Sequence, residues 1–566
     1  MQRRDFIKLA GMTAAVAFSG GGCSVFNDSN TQKKMPNIIL VVSDDQGYGD
    51  FECFGNEHVK TPNLNALYKK SAWFENFYVC PVCAPTRAGL MTGRYNYRTG
   101  VWDTWKARMN MHNDEVTVAE VLRDNGYRTG IFGKWHLGYN CPTRPLDQGF
   151  EEAVTFYGTQ SRFDPVLDVN GEKKKFDGFL TDIFFDEAIS FIKANGNSDK
   201  SFFAYVPSFL PHYFPAKQVP DADVEFYSEI EGLCPLDKET YAMVTRFDSN
   251  LGRLLDAVEQ TQIEDNTVII FLSDNGADID LPLRKEGCQN KRYNMGLRDG
   301  KGSVYEGGIR VPCFVHWKGV TNPDAVIHQI AANIDIMPTI LEICGVSDSS
   351  LELDGVSLMP LLTGGKFEYT DRALCFKFQR AAVPDKWTNS CIREQDLKLV
   401  NGNELYNITQ DAGERSDISG QYPDQVERLR EKYSLWFDDV VSTRGFAGER
   451  IIIGSDRQPC IRFKYWNQVF GEGWQVEVAG KGPYSIRMTQ VQNQLLNDET
   501  MAVVSFDGSV ISQQPFSGKD MIEFDNIELP TKKGMLRVWF RGLKHSKMPY
   551  GEKDPGYRFV FVERKN

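Results

Sequence analysis

The stretch Asn37-Ile38-Ile39-Leu40-Val41-Val42-Ser43-Asp44-Asp45 decides the fold. Its run NIILVVS is continuously apolar and rich in β-branched residues, as expected for a strand buried on both faces of a parallel sheet, where no face meets water and alternation is lost. It stops at Asp44-Asp45-Gln46-Gly47. The same ending recurs along the chain: YRTGIFG (127–133) runs into Lys134-Trp135-His136, SFFAYVPS (201–208) is followed by Pro211-His212, and TVIIFLS (267–273) by Asp274-Asn275-Gly276. Helical patterns separate these strands near 61–71, at 116–126 (VTVAEVLRDNG), at 181–196 (TDIFFDEAISFIKANG) and at about 238–261. Helices alternating with apolar strands predict an open α/β sheet, and ligands of such sheets bind outside the carboxyl ends of the strands. Four strands ending in chemically able residues therefore point to one site on one rim.

Farther along, EGGIRVPCFVHW (306–317) and IDIMPTILEICG (334–345) read as another strand and helix. Residues 371–441 predict a small α+β unit, with ALCFKF, DLKLV and ELYNI as antiparallel strands and DQVERLREKYSLWFDDV as a closing helix. From 442 to 566 the texture becomes short alternating runs between Gly, Pro and Asn turns, which predicts an all-β, sandwich-like module. The expected fold class is thus α/β: a mixed, largely parallel sheet sandwiched by helices over 35–370, then the small subdomain, then the β module.

With 566 residues, 41% of them hydrophobic, the chain is long enough for two or three domains. A net charge of −12 without long basic runs argues against nucleic acid as a partner. Any anionic substrate must be met by local Lys and Arg. The amino terminus (1–30) carries Arg3-Arg4, the short apolar run LAGMTAAVAFS and Gly20-Gly21-Gly22-Cys23. Adjacent arginines before a modest apolar core resemble a bacterial twin-arginine export signal, and the run is too short to span a bilayer. The expectation is an exported protein, periplasmic or at the cell surface, with Cys23 as a candidate lipid-attachment site and only contact with the membrane. Of twelve cysteines, those other than Cys23 and Cys83 are scattered without Cys-x-x-Cys spacing, so no zinc site is expected, and one or two disulfides are compatible with export.

The chemistry centres on Cys83-Ala84-Pro85-Thr86-Arg87-Ala88-Gly89-Leu90-Met91-Thr92-Gly93. Pro85 suits the first position of a helix and Gly93 the left-handed residue past its end, so a short helix is expected to begin at this cysteine, with free N–H groups and a positive dipole end that favour a tetrahedral oxyanion. Cys83-x-Pro85-x-Arg87 followed by Thr92-Gly93 resembles the signature of type I sulfatases, of the alkaline phosphatase-like superfamily, in which the cysteine is oxidised to formylglycine (3-oxoalanine). The resemblance extends from Asn37 to about Asp439 and includes GKWHLG (133–138), Pro211-His212 and DGKGSVYEGGIRVP (299–312). Phe214 and the loop 162–175 look individual and bear on specificity.

Asp44, Asp45, Asp274 and Asn275 offer only oxygen donors, which suit a hard cation such as Ca²⁺ or Mg²⁺. The resemblance implies that these four, with the modified Cys83, hold one calcium ion, and Asn275 in place of histidine favours that over the softer or paired metals of related phosphate and phosphonate hydrolases. It also implies a maturing enzyme that acts on Cys83. A hydrated aldehyde at 83 would present two hydroxyls, one to attack sulfur. Lys134 and Lys301 are the candidates for meeting the sulfate oxygens, and Arg87 for steadying the diol. His212, with Lys301, is the candidate acid for the leaving oxygen, and His136 the candidate base for the second hydroxyl. Trp102, Trp105, Lys106, Arg162 and Arg298 are candidates for lining the pocket, without an assigned role. The leading reading is an exported sulfatase acting on a sulfated carbohydrate. Its alternatives are an aryl sulfatase, a phosphate or phosphonate monoester hydrolase, and a non-catalytic glycan-binding relative.

Overall fold

The computed structural model describes residues 34–156, 161–213, 218–279, 292–365, 372–456, 460–464, 473–489, 500–515, 521–541 and 559–565. The proposed export signal with Cys23, and Phe214, lie outside the described residues. No described helix is long and apolar enough to cross a membrane.

A ten-stranded sheet organises the molecule. Its centre is five parallel strands, in the spatial order Thr267–Ser273, Asn37–Ser43, Phe202–Pro207, Arg128–Gly133 and Glu152–Phe156. Cys313–Trp317 joins antiparallel beside Thr267–Ser273, and an antiparallel ribbon, Val166–Val169 and Glu172–Lys175, closes the other side. The Asn37–Ser43 strand shows why its sequence does not alternate: Ile38, Leu40 and Val42 enter one apolar core and Ile39 and Val41 the other, all fully buried. Burial of each such side chain stabilises the fold by about 1.5–3 kcal/mol. Helices Cys83–Thr92, Val118–Asp124 and Ile336–Ile343 cover the first face; Pro62–Lys70, Leu180–Gly196 and Pro235–Gln260 cover the second.

Because the central strands are parallel, their carboxyl ends share one rim, and the connections beyond them are tied laterally. Asp44 N–H donates to Leu210 O (3.0 Å), Asp274 N–H to Ser43 O (3.1 Å), Ser208 N–H to Val42 O (2.8 Å) and Lys134 N–H to Pro207 O (2.8 Å). Gly133 makes the last approach possible: at φ +139° a Cβ there would lie 1.9 Å from Pro207 O.

The small subdomain is a four-stranded antiparallel sheet (Ala373–Lys377, Ser390–Glu394, Leu397–Val400, Glu404–Asn407) with helix Pro423–Ser442 on one face and the catalytic region on the other. Beyond it, a five-stranded and a four-stranded sheet share one apolar core that includes Trp474, Val504 and Val538 from one and Tyr484, Phe524 and Val560 from the other. Cys234 is disulfide-bonded, whereas Cys53, Cys80, Cys83, Cys141, Cys313, Cys344, Cys375 and Cys391 are free thiols.

Candidate active site

Helix Cys83–Thr92 starts at the cysteine, as expected, and ends on Gly93 in the left-handed conformation (φ +64°). Pro85 is its third residue rather than its first. This costs no hydrogen bond, because the first four N–H groups of a helix have no partner within it. Every residue of the helix is buried, including Arg87. That guanidinium donates from Nε and Nη2 to Asp274 Oδ2 (3.0 and 2.6 Å) and from Nη1 to Lys134 O (2.7 Å), so one side chain bridges two strand ends.

The strand ends converge on residue 83. Ligand atoms of Asp44, Cys83 and Asp274 lie within 4.8 Å of one another. Lys134 Nζ donates to Asp44 Oδ2 (2.7 Å), Lys301 Nζ to Asp45 Oδ2 (2.6 Å) and Asn275 Nδ2 to Asp45 Oδ1 (2.8 Å). Asp45 turns the chain in the left-handed conformation (φ +68°), which lets two adjacent carboxylates serve one rim. Lys301 comes from farther along the chain, on a turn pinned on two sides: its N–H donates to Ala277 O (2.9 Å), and Gly302 N–H donates to Pro81 O (2.8 Å).

His136, also left-handed (φ +63°), places Nδ1 3.3 Å from Cys83 Sγ and Nε2 2.9 Å from Thr104 O. A carbonyl only accepts, so Nε2 carries the proton and Nδ1 faces residue 83 as an acceptor. Burial, then Lys134 and Arg87, hold this imidazole well below its ordinary range, which keeps it neutral. His212 Nε2 lies 3.8 Å from Asp45 Oδ2, and its carbonyl accepts from Arg162. Burial and then Lys301 push His212 down to about 4.

The carboxylates are crowded. Burial and the neighbouring Asp44 push Asp274 up to about 7 despite Arg87, whereas Lys134 overrides the cost of burial and holds Asp44 well below the carboxylate range. Asp44 Oδ1 and Asn275 Oδ1 are buried and have no hydrogen-bond partner among the described residues. Two unpartnered oxygens beside a carboxylate short of positive charge fit a hard cation. Burial also pushes the Cys83 thiol up, against Lys134 and Lys301, so the unmodified side chain is a thiol rather than a nucleophilic thiolate.

All the residues singled out from the sequence for this rim, Asp44, Asp45, Cys83, Arg87, Lys134, His136, His212, Asp274, Asn275 and Lys301, are brought together. The pocket candidates divide. Arg162 and Trp105 lie next to His212 and Thr104, respectively, whereas Arg298 stacks on Tyr305 (3.6 Å to the ring centre) and donates to Tyr406 OH, outside the cluster. Thr104, whose carbonyl sets the His136 tautomer, was not found from sequence, since a backbone contact leaves no mark on residue type.

The family model described as Sulfatase matches residues 36–346, and that described as N-sulphoglucosamine sulphohydrolase, C-terminal, matches 295–434. Arylsulfatase A of Homo sapiens is 30% identical over 369 residues, covering 58% of this chain and 68% of that protein. N-acetylgalactosamine-6-sulfatase of Canis lupus familiaris is 29% identical over 373 residues, covering 60% and 68%. Among solved structures, Ps i-CgsB in complex with k-i-k-neocarrahexaose superposes with a TM-score of 0.66 at 28% identity, covering 74% of this chain and 95% of that one. The chain belongs to the sulfatase family and is a sulfuric ester hydrolase.

Proposed function

We propose that this sulfatase removes sulfate from a sulfated carbohydrate, with an aldehyde made from Cys83 by a maturing enzyme and one calcium ion held by Asp44, Asp45, Asp274, Asn275 and residue 83. The observation that carries the reading is the convergence of four strand ends on Cys83, with Asp44 Oδ1 and Asn275 Oδ1 left unpartnered there. The carbohydrate is supported by relatives named for N-acetylgalactosamine-6-sulfate and by the neighbour solved with a carrageenan oligosaccharide. Export through the Arg3-Arg4 signal, with lipid attachment at Cys23 as its further form, fits a substrate outside the cell.

When bound, calcium supplies Lewis acidity that makes a hydroxyl at residue 83 easier to deprotonate. The protein's own groups do the rest. Lys134 and Lys301, both kept charged by the carboxylates they touch, face the sulfate oxygens and take up charge as the S–O bond breaks. Arg87 fixes Asp274 and, through Lys134 O, the loop that carries Lys134. His136 accepts a proton at Nδ1 from residue 83, its tautomer held by Thr104 O. The oxygen leaving a sugar needs a proton, and His212, beside Lys301 at the rim, supplies it after gaining one with the anionic substrate in place.

The test is sulfate release by the chain coexpressed with a maturing enzyme, against glycosaminoglycan and algal oligosaccharides and an aryl sulfate. Turnover of a sulfated sugar that Cys83→Ala reduces by on the order of 10⁴-fold is the expected result. Turnover of aryl sulfates alone would remove the carbohydrate, and activity that survives Cys83→Ala would remove the mechanism.

A further inference from the structure

The rim of the site carries a cation that the chemistry above does not use. Arg380 lies on the loop after strand Ala373–Lys377 and reaches across to the 102–105 segment. Its Nη2 donates to Thr104 Oγ1 (3.3 Å), its guanidinium sits 5.4 Å from the centre of the Trp105 ring, and its Nε is 3.5 Å from Asp103 Oδ1. Asp103 is shared between Arg380 and Arg108, which approaches to 3.0 Å, and 42% of the Arg380 side chain is exposed. Trp105 is half-buried.

Both ends of this rim are tied to reacting groups. Thr104 is the residue whose carbonyl holds His136. On the other side, Asn389 donates to Phe378 O (2.9 Å) and to Gly302 O (2.7 Å), beside Lys301, and Trp102 Nε1 donates to Ala381 O (3.2 Å). Arg380 is thus fixed between the His136 and Lys301 sides of the centre. In a chain of net charge −12, long-range steering does not bring in a polyanion, so a well-placed exposed guanidinium matters locally. An indole offers an apolar face to the C–H groups of a sugar, and a guanidinium stacked beside it offers a planar fork to an oxyanion.

We infer that Arg380 and Trp105 form a subsite for a second anionic group of the carbohydrate, a sulfate or a carboxylate carried next to the ester that is hydrolysed. The inference rests on the sulfatase reading above and narrows its substrate class to oligosaccharides that carry more than one negative group.

The test is calorimetric binding to the full-length protein, with sucrose octasulfate as a sulfate-only probe and trigalacturonate as a carboxylate-only probe. Arg380→Ala raises the dissociation constant of at least one probe by about tenfold, and Arg380→Lys, which keeps the charge without the planar fork, raises it by roughly threefold. Trp105→Ala weakens the same probe, and melting curves verify that each variant is folded. A shift for sucrose octasulfate assigns the subsite to sulfate, and one for trigalacturonate assigns it to a carboxylate. Wild-type protein that binds neither probe, or binding indifferent to both residues in folded variants, overturns the inference. Binding is read without turnover, so its failure is separable from that of the activity: sulfate release with Arg380-independent binding removes only the subsite, and Arg380-dependent binding without sulfate release removes only the activity.

Discussion

Two buried ion clusters in this protein share an electrostatic pattern and differ in what they leave open. At the strand-end rim, Lys134 and Arg87 face Asp44 and Asp274, with one carboxylate held low and the other pushed up to about 7. Under the small sheet, Lys398 Nζ lies between Glu306 Oε1 (2.9 Å) and Glu414 Oε1 (2.8 Å), and again one carboxyl is low, Glu306, while burial, with Glu306 beside it, pushes Glu414 up to about 7. The second cluster closes on itself: Glu306 Oε2 accepts from Tyr78 OH and Glu414 Oε2 from Glu306 N–H. The first keeps Asp44 Oδ1 and Asn275 Oδ1 unpartnered. Buried charge alone therefore does not mark a functional site; what differs is that each of the four carboxylate oxygens of the second cluster lies on Lys398 or on an N–H or O–H donor, whereas Asp44 Oδ1 and Asn275 Oδ1 lie on no described donor.

Equivalent lysines test that difference. Lys398→Met takes the cation from buried Glu414 and leaves Glu306 only the more distant Arg310 (3.8 Å) and Arg393 (4.0 Å), and is expected to cost about 3–5 kcal/mol of stability, with sulfate release per folded molecule retained. Lys134→Met is expected to reduce kcat by on the order of 10²–10³-fold, with a smaller fall in melting temperature when calcium is present. Denaturation and single-substrate kinetics on the two variants decide it, and equal effects on both properties would erase the distinction.

Chelation sharpens it further. Saturating calcium, at about 100 times its dissociation constant, is expected to add about 2.7 kcal/mol of stability that EGTA removes. The effect has a sign in pH. In the ion-free protein the folded pKa of Asp274 is raised from its ordinary 3.8 to about 7, so the stability it contributes is full below 3.8 and lost as pH rises through 7. Calcium replaces that proton, so the rise in melting temperature on adding calcium should be larger above pH 7 than in acid. The Glu306–Lys398–Glu414 cluster, closed on itself, should show no such calcium dependence.

The last expected effect, no larger than that of calcium, concerns His212. His212→Ala should slow alkyl sulfates about 10²-fold more than aryl sulfates, whose leaving groups need no proton. Because His212 sits down at about 4 in the free protein, the ratio of kcat/KM for alkyl over aryl substrate should fall as pH is raised above that value, and His212→Ala should flatten the fall. Equal losses on both substrates would remove His212 as the proton donor.

The large sheet and its site were legible in sequence because both signals are local. An uninterrupted apolar run names a doubly buried strand, and the residues after it must lie on the rim if the strands are parallel. Asp44, Lys134, His212 and Asp274 could each be found that way. Lys398 could not: within DLKLV it reads as the outward residue of an alternating strand, yet the small sheet is covered on both faces, so the side opposite helix Pro423–Ser442 is also interior. Arg380 and Thr104 escaped for a related reason. Thr104 acts on His136 through a backbone carbonyl, and Arg380 meets Thr104 from a chain segment more than 270 residues away, so only the closing of the subdomain over the rim gives an ordinary loop arginine a place beside the residue that holds His136.

The most direct test is mass spectrometry of the peptide that contains Cys83, taken from protein active in sulfate release. An aldehyde in place of the thiol is expected, in a fraction that scales with activity from one preparation to the next. Full activity in protein whose Cys83 thiol is intact would contradict it.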